Sequence, residues 1–131
     1  MATQSDKVFK KSPVSLRYRT FKFGGIVLSV KLDVGENHIV AYISGEIDHH
    51  NAKNLRDAID SMAERTSPKV LVLDFRGVTF MDSSGIGLVM GRYKLMSSLG
   101  GVLEIANVNS HIKKVMKISG LDKFAKIREE R

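Results

Sequence analysis

The sequence predicts an α/β domain in which helices pack on a single mixed β-sheet of four to five strands. Three observations carry that expectation. The regular part of the chain opens with strictly alternating apolar and polar residues. Short β-branched runs then take turns with stretches of helical periodicity. The 131 residues, 43% hydrophobic and 27% charged, suit one soluble domain with one core.

Ile26, Leu28, Val30, Leu32 and Val34 alternate with Val27, Ser29, Lys31 and Asp33, the pattern of a half-buried strand. Gly35-Glu36-Asn37 is turn chemistry, and Ile39 to Ile43 reads as the returning strand of a hairpin. Ala52, Leu55, Ile59 and Met62 recur at helical spacing, with Asp48 expected as N-cap and Pro68 just past the end. Val70-Leu71-Val72-Leu73 has the unbroken apolar character of a central strand covered on both faces. A second helix is expected from about Ser84 to Ser98, where Gly100-Gly101 ends it. Val102 to Ala106 is the next strand, so a right-handed βαβ crossover and a partly parallel sheet follow. Ser110 is placed to cap a third helix that buries Ile112, Val115 and Met116. Gly120 suits its C′ position, folding Leu121 back onto Met116, and Phe124 to Ile127 reads as a last short strand.

The net charge of +7 is unevenly spread. Residues 1–24 hold Lys7, Lys10, Lys11, Arg17, Arg19 and Lys22 against Asp6 alone, while the other 107 residues carry 15 basic and 13 acidic groups. A basic nucleic-acid face on the body is therefore not expected. The division that follows is a basic leader over residues 1–25, flexible or appended, and a folded domain over residues 26–131. Leu16, Tyr18, Phe21 and Phe23 leave a short strand in the leader as the less favoured alternative. Cys is absent, which removes disulfides, thiolate metal sites and Cys nucleophiles and fits a cytoplasmic location. No apolar run approaches the ~20 residues of a membrane span, and the start lacks the pattern of a secretory signal.

Phe80-Met81-Asp82-Ser83-Ser84-Gly85-Ile86-Gly87 lies between the central strand and the second helix. It places hydroxyls where free N–H groups and the positive end of a helix dipole favour a phosphate. That phosphate belongs either to a ligand or to a modified serine. Gly85, Gly87 and Gly91 miss the dinucleotide fingerprint, and Arg92-Tyr93 after Gly91 breaks the Walker pattern. Met81 and Asp82 before the serines break G-x-S-x-G, although a triad with His49 or His111 stays open. Adjacent His49 and His50 lack metal-binding spacing and suit a solvated helix start. Asp48 and Asp82 serve as a general acid–base pair or, more simply, as capping and turn residues. No cofactor or metal site is expected.

Four blocks together carry a resemblance: Gly45-Glu46-Ile47-Asp48-His49-His50-Asn51-Ala52, the D-S-S-G segment, Gly91-Arg92-Tyr93-Lys94 and Ile118-Ser119-Gly120-Leu121. In order and spacing they resemble the anti-anti-sigma factors (anti-sigma factor antagonists) of the STAS domain family, nearest to the sporulation antagonists of Gram-positive spore formers. The likeness runs from about Leu28 to Ile127. It implies a STAS-like fold and a non-enzymatic regulator that binds a serine-kinase anti-sigma factor and so frees a sigma factor. It also implies phosphorylation at Ser83 by that kinase with its own ATP, reversed by a metal-dependent phosphatase. Asp48, Asp82, Ser83, Ser84 and Gly85 then form the partner-binding face, with no direct nucleic acid and no membrane among the partners. The family's C-terminal helix after the last strand has no counterpart before Arg131, nor has the leader a counterpart in compact members. Two other functions compete: a STAS scaffold module of a stress-signalling complex, and a small-molecule hydrolase using the Ser83/Ser84 turn.

Overall fold

Alternation sets the sheet, and the computed structural model describes residues 18–23 and 28–129. The elements are β1 (Tyr18–Phe23), β2 (Leu28–Val34), β3 (His38–Ile47), α1 (Ala52–Thr66), β4 (Val70–Met81), α2 (Ser83–Ser98), β5 (Val102–Val108), α3 (Ser110–Ile118), a 3-10 turn (Leu121–Lys123) and β6 (Lys126–Glu129). All six strands lie side by side in chain order. β1, β2 and β3 are antiparallel neighbours, and β3 through β6 are parallel. Each parallel step needs a crossover, and right-handed crossovers taken in one direction stack their connections on one face. That face holds the core: Leu28, Val30 and Leu32 of β2, Ile39 and Ile43 of β3, Leu71, Leu73 and Phe75 of β4, Ile105 of β5, with Leu55 and Ile59 of α1 and Met96 of α2. The mixed sheet with three helices is as expected, with six strands in place of four to five.

Two expectations are corrected. β4 is not covered on both faces: Val70 and Val72 are half-buried, and Tyr42 and Val102 on the same side are exposed. Among the described residues every helix packs on the other face. The leader is not wholly outside the fold either. Residues 18–23 pair with β2 from Tyr18↔Asp33 to Phe23↔Leu28, and Phe21 and Phe23 pack against the core beside α1. Their alternation with Thr20 and Lys22 is a strand signal that the surrounding positive charge outweighed. The rest of the expected leader, with Ile26 and Val27 of the expected strand, lies outside the described residues.

Helix ends follow local chemistry. Ser67 takes the left-handed conformation that closes α1 just before Pro68. Gly120, at φ 79°, does the same after α3 and turns the buried Leu121 back into the core. α3 begins where the Asn109 side chain accepts the Ile112 N–H (2.8 Å), one residue before the expected cap at Ser110. β6 pairs in parallel with β5 through Ile105↔Ile127.

One buried ion pair ties α1 to α2. Arg92 donates from Nη2 to Asp60 Oδ2 (3.1 Å) and from Nη1 to the Leu88 carbonyl (3.2 Å). Its Nε sits 2.7 Å from Asp60 Oδ1, an ion contact whose angle falls short of a hydrogen bond. Burial pushes the Asp60 carboxyl up, and the Arg92 charge opposes that push. Removing one partner leaves the other charge desolvated and alone, so Arg92→Ala should cost about 3 kcal/mol in denaturant unfolding. Deleting residues 1–23, or combining Phe21→Ala with Phe23→Ala, should lower Tm by roughly 3–8 °C, because two half-buried rings are lost. An unchanged Tm would show that β1 contributes nothing to stability.

Candidate functional site

The site is built where β3 and β4 end together. Their parallel pairing continues through a register shift after Gly45 to Glu46↔Phe80 and Ile47↔Met81, and the Asp82 N–H donates to the Ile47 carbonyl (3.1 Å). Gly77 permits the close approach. A Cβ there would fall 2.4 Å from Ser44 Oγ and 3.1 Å from the Ile43 carbonyl oxygen. Two loops leaving the carboxyl ends of adjacent parallel strands thus meet, the usual place for recognition in such sheets.

The first loop is locked by Asn51, a buried polar side chain. Its Oδ1 accepts the Asp48 N–H (3.0 Å) and its Nδ2 donates to the Glu46 carbonyl (2.8 Å). Asp48 Oδ1 in turn accepts the N–H groups of His50 (2.9 Å) and Asn51 (3.2 Å). Asp48 is therefore the head of an Asx turn and not the N-cap of α1, because Asn51 holds the cap position and the helix starts at Ala52. The partly exposed Asp48 carboxylate remains on the surface of the loop.

In the second loop Asp82 is the N-cap of α2. Its Oδ1 accepts the Ser84 N–H (2.8 Å) and also the Ser84 hydroxyl. α2 thus begins at Ser83, one residue before the expected start. Ser83 is exposed, and its hydroxyl forms no hydrogen bond among the described residues. Ser84 is half-buried and committed to Asp82. Gly85 is buried: a Cβ there would fall 2.1 Å from Met81 Cγ, so Gly85 supports the turn from beneath. Asp48, Asp82, Ser83 and Ser84 are all at this junction, with the first two on adjoining loops.

The histidines join the loops. His49 Nδ1 is 3.8 Å from Asp82 Oδ2, His50 Nδ1 is 3.8 Å from Asp48 Oδ1, and the two rings lie 3.9 Å apart. Sequence reasoning left both as solvated residues at a helix start. Only the strand register brings His49 across to Asp82. The exposed Phe80, one residue from the strand end, was also missed, because alternation with buried Val78 would place it inward. No Ser–His–Asp relay forms: Asp82 separates Ser84 from His49, and His111 is on α3. Among the described residues no group of three His, Asp or Glu side chains could hold a metal. Gly87 and Gly91 line a shallow groove with Lys53, Arg56 and Arg92, where Lys53 and Arg56 pair with Asp57.

Fold and junction define a small α/β recognition domain whose surface centres on a serine at a helix start. The chain belongs to the STAS domain family, whose family model matches residues 29–131. It is 33% identical over 100 residues to the anti-sigma F factor antagonist of Paenibacillus polymyxa, covering 76% of this chain and 86% of that one. The unphosphorylated anti-sigma factor antagonist SpoIIAA superposes with a TM-score of 0.67 at 29% identity, covering 75% of this chain and 86% of the other. The phosphorylated SpoIIAA of Bacillus gives 0.60 at 31% identity, covering 75% and 89%.

The hydroxyl of Ser84 above all, with the N–H groups of Ser84 and His49 and the His49 charge, holds the Asp82 carboxyl below the usual carboxylate range, against a desolvation that raises it. Because the folded value lies below the unfolded one, this contribution to stability is complete above the unfolded value of ~3.9 and fades as pH falls through the folded one. A carboxyl-carbon NMR titration should place Asp82 below its model-peptide midpoint, and Ser84→Ala should move it up. An unmoved midpoint in the variant would show that the hydroxyl is not the principal cause.

Proposed function

We propose that the chain is an anti-anti-sigma factor, working in the cytoplasm, that binds a serine-kinase anti-sigma factor and thereby releases a sigma factor. Phosphorylation of Ser83 switches it off, and a metal-dependent serine phosphatase restores it. The observation that carries the reading is the division of labour between the two serines. Ser83 presents a free, exposed hydroxyl at the start of α2, whereas the Ser84 hydroxyl is tied to Asp82. Relatives named anti-sigma factor antagonists and the two phosphorylation forms of SpoIIAA support it.

The chemistry is phosphoryl transfer. Ser83 Oγ attacks the γ-phosphorus of ATP held by the kinase, ADP leaves, and the hydroxyl proton passes to a base of the kinase. This chain supplies an accessible acceptor and no nucleotide site. The phosphoserine adds a charge of about −1.5 to −2. At the first turn of α2 the dipole and free N–H groups favour it by ~0.3–1 kcal/mol, so the fold tolerates the modification. The partner surface fits a neutral hydroxyl next to Asp82, and added negative charge there brings repulsion and desolvation.

Incubation with a cognate kinase and ATP should label Ser83, and Ser83→Ala should abolish labelling while retaining kinase binding. Phosphorylation should weaken that binding at least a hundredfold, about 2.8 kcal/mol, with amide shifts confined to the two loops. Labelling that moves to Ser84, or equal affinity of the two forms, would overturn the assignment.

A further inference from the structure

The near balance of charge in residues 25–131 hides a separation that the fold makes visible. Residues 25–109 carry ten acidic and eight basic groups. Residues 110–128 carry Lys113, Lys114, Lys117, Lys123, Lys126 and Arg128 against Asp122 alone. These residues make up α3, the 3-10 turn and most of β6, which the Lys113–Glu129 ion pair (3.2 Å) joins into one unit at the edge of the sheet. α3 buries Ile112 and Met116. Its opposite side exposes His111, Lys114, Lys117 and Ile118, which fall within a third of the helix circumference. Ile118 is 81% exposed, the most exposed of the large hydrophobic residues described. Lys114, Lys117, Lys123 and Lys126 have no ion-pair partner among the described residues.

We propose that the outward face of α3 is a docking surface for anionic lipid headgroups. The reading is independent of the function assigned to Ser83. The charge fixes the sign of the partner. Its kind follows from the shape: the face is a convex helix with one protruding aliphatic side chain among lysines. A protein partner needs a matching hollow for Ile118, whereas a lipid interface deforms around it. Lysine stems lie along the same boundary and carry their ammonium groups to the headgroups. This departs from the expectation of no membrane partner, which came with the family resemblance. A peripheral contact needs no spanning segment, and no helix among the described residues is long and apolar enough to cross a membrane.

The test is flotation of the full chain with vesicles of phosphatidylglycerol and phosphatidylcholine, against vesicles of phosphatidylcholine alone. Binding should require the anionic lipid and weaken as salt rises. Combining Lys114→Glu with Lys117→Glu should lower the partition coefficient at least tenfold. Ile118→Ser should lower it severalfold while leaving the salt slope unchanged, and its exposed position keeps the fold intact. Absence of binding to anionic vesicles at low salt would overturn the proposal. So would binding that the α3 substitutions leave unchanged, since the basic residues before β1 would then carry it. Equal, variant-sensitive binding to duplex DNA or polyglutamate would also overturn it, showing a general polyanion surface or an acidic protein site.

Discussion

The parallel pairing of β3 with β4 is the constraint on which the site depends. Hydrogen bonds in a parallel ladder fix two strand ends at one level, so whatever follows each strand emerges beside its neighbour. Here the ladder survives two register shifts and runs to Ile47↔Met81. That last step sets the Asx turn of Asp48 next to the cap of α2, and it brings His49 to Asp82. An added residue in either strand would invert the facing of everything beyond it. Gly77 is where this is sterically decided, because the bulged β3 backbone passes too close for any larger residue to enter without displacement. The Arg92–Asp60 pair then sets α2 against α1, so the helix that carries Ser83 has little freedom to tilt.

Much of the architecture was legible because hydrophobic periodicity reports burial directly. β2, β5 and the Gly120 reversal fall within a residue or two of expectation wherever they are described. The misses share a cause: each depends on a neighbour distant in sequence. Tyr18 to Phe23 alternate correctly, but their lysines and arginines suggested an arm, and only pairing with β2 makes them a strand. Val70 to Leu73 are as apolar as a doubly covered strand, yet one face of β4 is left half open because all crossovers run one way. Asp48 has the chemistry of an N-cap and is used three residues earlier than the cap, because buried Asn51 takes the position next to the helix.

The site shows the same division. The D-S-S-G segment identified the helix start and its serines, since small polar residues before a helix have few other uses. It did not separate Ser83 from Ser84. Their difference arises from the extended backbone of Asp82, which aims its carboxylate at the residue two positions on. Nor did sequence show that Gly85 is a buried support and not a surface contact. The tally of charge was blind to placement for a related reason. Summing over the whole body averaged an acidic majority with a basic C-terminal unit that the fold holds together at one edge.

A serine placed this way is suited to reversible charge and poorly suited to hydrolysis. A nucleophilic serine needs a base aimed at its hydroxyl, and the imidazole here faces the Asp82 carboxylate instead. Asp82 is also tied up as a cap, and its lowered pKa makes it a weak proton acceptor near neutral pH. What the junction does offer is an exposed hydroxyl at a helix start, next to the Asp82 cap and without a hydrogen bond among the described residues. On the proposed function, a phosphate added there would be favoured by the helix dipole and opposed by the neighbouring Asp82 charge. On that proposal the folded state would stay nearly unaltered while the charge that a partner meets would change. A switch of that kind would act through the surface alone, at the ends of the two central strands β3 and β4.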